Sequence, residues 1–508
     1  MEPKTSKTTI SNTLWRACDT FRGKIDSSIY KDYILVMLFV KYLSDTYKEH
    51  VEEYTKKYEG DTERIQRALT RDRFVLDEKS TFDHIYSKRN ESNVGEVINK
   101  ALEHIEEENK MKLRGVFRNI DFNSEAILGQ TKDRNSMLKH LFEDFKDLDL
   151  RPTSVGNADV IGDAYEYMIG KFASDAGKKG GEFFTPSEVS ELVSRLVKPK
   201  ENDRIYDATI GSGSLVIRTA KKVPSGKVAI YGQERNGQTH SLCRMNMFLH
   251  KFDDANIAWG DTLSNPMFLE DGQLMKFQVI VANPPFSLDK WAMGFAGSGD
   301  ERDFSMEASL DPYRRFEWGV PPKSKGDYAF VQHMLYSLAE GGRMGIVLPH
   351  GVLFRGATEG AIRKQIIELN LLDAVIGLPA NLFFGTGIPA CILVFKKNRS
   401  RRDILFIDAS NDGHYEKGKN QNNLREEDIQ RIVDAYDKYE NIDRFAHVAS
   451  PDEIKENEYN LNIPRYVDTF EEEKPVDMDA VKENIANIKL ELAEVEVKMQ
   501  KQLDELGL

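Results

Sequence analysis

Arg204-Ile205-Tyr206-Asp207-Ala208-Thr209-Ile210-Gly211-Ser212-Gly213-Ser214 decides the fold. The stretch reads as a short strand, Arg204 to Asp207, that ends in an acid and enters a two-glycine turn before the helical segment Leu215 to Lys222. Glycines in such a turn let a ligand come close to the backbone. The Gly-x-Gly pattern alone is a weak signal, so its neighbours carry the argument. The run Val228 to Glu234 precedes a helical stretch, Gln238 to His250. Further strands are expected at Ala255 to Trp259, Phe277 to Ala282, Met344 to Leu348, Leu372 to Ile376 and Ala390 to Phe395. Helices are expected at Tyr328 to Ala339 and Gly360 to Leu369. This alternation predicts an α/β fold with a doubly wound, mostly parallel sheet flanked by helices. Ligands in such sheets bind beyond the carboxyl ends of the strands.

Three strand ends carry acids. Glu234 closes the second strand, where a ribose diol is usually gripped. Asp261, in Gly260-Asp261-Thr262-Leu263, follows the third and can accept a hydrogen bond from an adenine amino group. Asp207, Glu234 and Asp261 thus surround one crevice. The fourth strand end is Asn283-Pro284-Pro285-Phe286. An exocyclic amine on a nucleobase is a poor nucleophile because its lone pair is delocalised into the ring. Two fixed acceptors that hold both N–H groups would draw the nitrogen toward tetrahedral geometry, and the Asn283 side-chain oxygen and the Pro284 carbonyl are suited to that. Pro284 restricts Asn283, and Pro285 restricts Pro284, so both acceptors sit on a stiff backbone. Such preorganisation lowers the barrier to transfer. Phe286 can stack on the base, a contact of about 1 to 3 kcal/mol. Asn-Pro is also a common turn opener, and a plain strand-ending turn is the alternative. A dinucleotide enzyme leaves the Asn-Pro-Pro-Phe turn unexplained. A nucleoside cofactor bearing a methyl sulfonium explains all four strand ends.

Residues 1–175 read as a helical domain, with apolar residues at helical spacing in Ser11 to Phe21, Tyr30 to Tyr54, Val94 to Glu107 and Asp159 to Phe172. Lys56 to Arg64 and Ser87 to Ser92 read as irregular. Residues 176–450 form the expected cofactor-binding domain, and residues 451–508 an acidic tail. Within 287–326 no periodicity is visible, which points to a lid or a substrate-contacting loop. The net charge of -13 is concentrated in the tail, where Pro451 to Leu508 hold 16 acidic and 7 basic residues. Acidity therefore does not exclude nucleic acid as a partner of the rest. Lys396, Lys397, Arg399, Arg401 and Arg402 form a basic cluster that suits either phosphates or a solvated loop. Met478, Val481, Ile485, Ile488, Leu492, Val495 and Met499 are spaced as a heptad seam that suits a partner helix or a fold-back on its own domain. Cys18, Cys243 and Cys391 are too scattered for a disulfide framework or a zinc site and fit a reducing cytoplasm. The longest apolar run, Tyr33 to Val40, is too short to span a bilayer, so no membrane is expected as a partner.

With these motifs on the page, the chain closely resembles the DNA adenine-N6 methyltransferase (modification) subunits of type I restriction-modification systems. The resemblance covers nearly the whole chain. It also takes in Gly162-Asp163-Ala164-Tyr165-Glu166-Tyr167, Gly181-Glu182-Phe183-Phe184-Thr185-Pro186, Gly385-Thr386-Gly387-Ile388-Pro389 and Asn462-Ile463-Pro464-Arg465-Tyr466. It implies S-adenosyl-L-methionine as cofactor, held by Glu182, Phe183, Phe184, Thr185, Pro186, Ser187, Asp207, Gly211, Ser212, Gly213, Ser214, Glu234 and Asp261. Within this set Phe184, Thr185 and Pro186 would pack on the methionine part. Asn283, Pro284, Pro285 and Phe286 would be the catalytic motif, with no metal. Ala208 stands where such subunits often carry proline, which leaves the first turn less rigid. The resemblance further implies double-stranded DNA as substrate, a specificity subunit, a restriction subunit for cleavage, a second copy of this chain, and a prokaryotic cytoplasmic location. About 110 residues follow the last expected strand, many of them acidic or helical, which leaves little room for a base-reading domain and fits a separate specificity subunit. Methylation of a protein glutamine amide, methylation of cytosine N4 and a catalytically silent scaffold remain open on the residues alone.

Overall fold

The computed structural model describes residues 5–156, 159–175, 184–295, 297, 306–411, 413–419, 421–469 and 478–506. The chain divides into two units, residues 1–467 and 468–508. The compact division thus falls at Val467, not at the start of the expected acidic tail. Ile454, Leu461 and Ile463 are buried in the larger unit, and Tyr466 stacks on Phe406 with ring centroids 3.9 Å apart.

Five longer helices open the chain: α1 (Lys7–Phe21), α2 (Ser27–Lys57), α3 (Val94–Glu108), α4 (Thr131–Phe145) and α5 (Asp159–Asp175). Asp26 caps α2 by accepting the Ser28 N–H at 2.8 Å. The helix is buried on all sides from Tyr30 to Lys41, as its unbroken apolar run requires. Inside the expected irregular stretch, a short helix starts at Thr62, because Asp61 caps it through the Arg64 N–H at 3.1 Å. The helical core continues into the next region through Leu242, Met245, Phe248 and Leu249.

Helix α6 (Ser187–Val197) leads into β1 (Arg204–Asp207), α7 (Ser214–Ala220), β2 (Ala229–Glu234), α8 (Gly237–Leu249), β3 (Asn256–Trp259) and β4 (Phe277–Ala282). Next come α9 (Asp327–Ser337), β5 (Leu338–Pro349), α10 (Ala357–Glu368), β6 (Leu372–Gly377), β7 (Ala390–Lys396), β8 (Ile404–Asp408), α11 (Glu426–Lys438) and β9 (Ala446–Ala449). The nine strands form one sheet in the order β9-β8-β6-β7-β5-β4-β1-β2-β3. It is mostly parallel, as expected. The exceptions are β7, antiparallel to both β5 and β6, and β9, antiparallel to β8. The chain leaves β1 for β2 on one side and returns to β4 on the other. That reversal opens a crevice at the carboxyl ends of β1 and β4.

Strands β8 and β9 and helix α11 lie where no further strand was expected. The described part of 287–326 is also packed rather than open, since Trp291, Phe295 and Phe316 are buried against one another. The basic cluster is largely committed inside the fold. Lys396 and Arg399 both pair with Asp373, at 2.7 and 2.9 Å, and Lys397 and Arg402 donate to the carbonyls of Leu338 and Glu368. Arg401 and Arg402 remain exposed. Helix α12 (Met478–Leu506) forms the second unit. Its seam residues Val481, Ile485, Ile488, Leu492, Val495 and Met499 are exposed; the Met478 side chain lies outside the described residues. Among the described residues, no helix is long and apolar enough to cross a membrane.

Candidate active site

Strand β4 delivers Asn283 to the crevice because Phe277–Ala282 is paired on both sides, with β1 and β5, and nearly all buried. The Asn283 amide nitrogen donates to Thr185 Oγ1 at 3.2 Å. That bond fixes which way the amide faces. Asn283 Oδ1 is consequently left buried, with no partner among the described residues. A buried, unsatisfied acceptor costs about 1 to 3 kcal/mol, so a site keeps one for a ligand donor. Phe286 is half-buried and meets Phe383 edge-on at 5.6 Å, while Phe184 lies 6.1 Å from Phe384. Phe383, from the β6–β7 connection, therefore backs the turn, and no sequence motif links the two.

The acids fall at the three neighbouring strand ends. Asp207 is 2% exposed, and its Oδ1 accepts the Thr209 N–H at 2.9 Å. Burial, reinforced by the negative charge of Glu234, pushes its pKa up to about 8. Glu234 accepts the Gly211 N–H at 3.0 Å and the Asn236 N–H at 2.7 Å, and burial raises its pKa as well. Asp261 Oδ1 accepts the N–H groups of Leu263 and Ser264 at 2.9 and 3.0 Å; its Oδ2 lies 3.4 Å from Arg235.

Gly211 and Gly213 both have positive φ, 56° and 85°. At φ 85° Gly213 is in the left-handed region that favours glycine, and a β-carbon there would also crowd the Met247 methyl at 2.7 Å and the Cys243 sulfur at 3.0 Å on α8. The looseness expected from Ala208 is absent, because Thr262 Oγ1 donates to the Ala208 carbonyl at 2.6 Å. Phe184, Thr185, Asp207, Gly211, Ser212, Ser214 and Asn283 line one cleft. A larger cleft of about 480 Å³ adjoins it and shares Phe184, Thr185 and Ser214. Pro186 and Ser187 line the larger cleft as well; Glu182 and Phe183 lie outside the described residues.

A buried ion pair holds the acid side in place. Asp311 and Arg315, both fully buried and 2.7 Å apart, come from the long 287–326 segment. Arg315 donates to the carbonyls of Thr262 and Leu263, at 3.4 and 2.6 Å, directly after Asp261. It also meets His333 Nδ1 at 3.1 Å, and His333 Nε2 lies 3.0 Å from the Tyr206 hydroxyl. No pattern in the sequence announced this network, since its members are far apart and belong to no motif.

The cleft thus joins the Gly-x-Gly turn, Asp207 and the Asn283 amide; Glu234 is tied to it through the Gly211 N–H, and Asp261, past the end of β3, does not line it. The family model for N-6 DNA methylases matches residues 156–475. The chain belongs to the N-6 DNA methylase family. A second model, the HsdM N-terminal domain, matches residues 10–145. Among curated relatives of this N-6 DNA methylase, the type I restriction enzyme MpnII methylase subunit of Mycoplasma pneumoniae is 34% identical, covering 94% of this chain and 93% of that relative. The MjaVIII methylase subunit of Methanocaldococcus jannaschii is 33% identical, over 97% of this chain and 83% of its own length. A crystal structure of a type I restriction-modification methyltransferase subunit from Streptococcus thermophilus superposes with a TM-score of 0.78 at 36% identity, covering 92% of this chain and all of that one. This N-6 DNA methylase is therefore an adenine-specific DNA methyltransferase of the type I methylase-subunit class.

Proposed function

We propose that the chain methylates N6 of an adenine flipped out of duplex DNA, with S-adenosylmethionine as methyl donor and a separate subunit choosing the site. The observation that carries this reading is the buried, unpartnered Oδ1 of Asn283, aimed by the bond from its amide to Thr185. The residues fit the cofactor: acids close three neighbouring strands, and two glycines of positive φ let a ligand approach the β1–α7 turn. Glu234 is placed to grip a ribose and Asp261 to meet an adenine, with Phe184, Thr185 and Pro186 against the methionine part. When bound, S-adenosylmethionine supplies an electrophilic methyl group. Asn283 Oδ1 and the Pro284 carbonyl take the two N–H groups of the target amine and raise the nitrogen's nucleophilicity. Phe286 stacks on the extruded base, offsetting part of the few kcal/mol that flipping costs. Asp207, Glu234 and Asp261 serve the cofactor rather than the base.

The heptad seam of α12 supports docking on a partner helix, in keeping with a complex that holds a specificity subunit, a second methylase chain and, for cleavage, a restriction subunit. Residues 1–175 then act as the helical domain, the sheet region from 176 as the catalytic one, and the segment after Val467 as the assembly tail. A prokaryotic cytoplasm fits that role. The test of the site is Asn283→Ala. Calorimetry should show unchanged S-adenosylmethionine affinity, while methyl transfer falls on the order of 10²-fold or more, the size of losing one preorganised hydrogen bond at a reacting centre. Turnover at the parent rate would remove Asn283 from the reaction.

A further inference from the structure

The catalytic turn is held at its entry by the sheet and at its exit by a buried carboxylate. Ser287, directly after Phe286, has φ 53°, a left-handed conformation that a side-chain-bearing residue keeps only when its surroundings impose it. Its N–H donates to Asp327 Oδ1 at 2.8 Å, and its hydroxyl lies 3.4 Å from Asp327 Oδ2. Asp327 is the first residue of α9, and its side chain is fully buried. The positive end of that helix favours a carboxylate there. Asp327 Oδ2 also accepts from Arg355 Nη2 at 2.5 Å, and Arg355 is held in turn by Glu359 at 3.1 Å. One carboxylate therefore joins three segments: the exit of the Asn-Pro-Pro-Phe turn, the start of α9, and the loop between β5 and α10.

We infer that Asp327 is a positioning residue for methyl transfer, with Arg355 holding its carboxylate in register. Asn283 leaves β4 in a paired, buried strand, and the next two residues are prolines. With Ser287 also pinned, the Pro284 carbonyl between these anchors has no freedom to rotate. Loss of the Asp327 anchor frees one end of the turn while leaving β1, β2, β3 and their acids untouched. The effect therefore falls on the reacting geometry and spares cofactor binding. A misplacement of about 1 Å at a reacting centre costs on the order of 10²-fold in rate, so a modest release of the turn is visible in turnover.

This inference rests on the catalytic reading of the turn, and the experiment separates the two. The chain, co-purified with its specificity subunit, is assayed on unmodified genomic DNA, with S-adenosylmethionine affinity measured by calorimetry on the same samples. Asp327→Ala removes both the acceptor for Ser287 and the partner of Arg355. Its kcat should fall at least twentyfold, with KM for DNA and cofactor affinity within twofold of the parent. Asp327→Asn keeps an acceptor for the Ser287 N–H and should fall only three- to tenfold. If the alanine variant does not fold, Arg355→Met takes its place. It should lower kcat about fivefold, and Arg355→Lys should recover most of that. A purely structural role would weaken cofactor binding in step with rate, and that result overturns the inference. Full-rate Asp327→Ala beside an inactive Asn283→Ala overturns it alone; a full-rate Asn283→Ala overturns the catalytic reading and this inference together.

Discussion

At the scale of single residues, the crevice holds its acids under strain of charge. Asp207 is buried, with a pKa near 8, so the folded chain binds a proton there that the unfolded chain has lost above about pH 4. Between those values the folded state is the stronger proton binder, so stability falls as pH rises through the window and levels off above about 8. Asp207→Asn abolishes that ionisation. In the absence of cofactor it should melt several degrees higher than the parent at pH 9 and close to the parent at pH 4. Equal shifts at both pH values would assign Asp207 a purely steric role. The strand-end placement of the acids and of Asn283 is legible in the sequence. Asp207, Glu234, Asp261 and Asn283 were visible because each ends an apolar run, and a strand end is where a side chain escapes the sheet. Their hydrogen-bond partners were not. Thr185 lies 98 positions before Asn283 in the chain, and nothing local links the two.

At the scale of elements, strands paired on both sides were the most legible. Phe277–Ala282 is legible to the residue, because a parallel strand buried almost throughout needs an apolar run, broken here only by the exposed Gln278. Ile404–Asp408 is equally buried yet was missed. It is only five residues long and is wedged between an arginine-rich turn and a polar loop, which mask its pattern. Ala446–Ala449 sits at the sheet edge, where alternation is weak. The segment 287–326 reads as a lid or substrate-contacting loop because it has no periodicity; its described part is packed by the Trp291, Phe295 and Phe316 rings and by the Asp311–Arg315 pair, which leave no periodic signature. Arg315→Met should reveal that order. It leaves Asp311 buried without a counter-charge, a loss of about 3 to 5 kcal/mol for a buried pair. Denaturant unfolding should show it, along with weaker S-adenosylmethionine binding as the Thr262–Leu263 carbonyls lose their donor. Parent-like stability would mean that the segment is not anchored there.

At the scale of the whole molecule, the helical region shares its core with α8 of the sheet region, whereas the seam residues of the last helix are exposed. A chain ending after Val467 should keep its melting temperature within about 2 °C and its cofactor affinity, while failing to co-purify with a specificity subunit. Retained assembly would move the docking surface elsewhere. The central claim concerns the atom that receives the methyl group. The assembled complex should be incubated with unmodified DNA and methyl-labelled S-adenosylmethionine, and the DNA digested to nucleosides for mass spectrometry. The account predicts label in N6-methyldeoxyadenosine alone, lost in Asn283→Ala; label in N4-methyldeoxycytidine, or in protein glutamine with none in DNA, would contradict it.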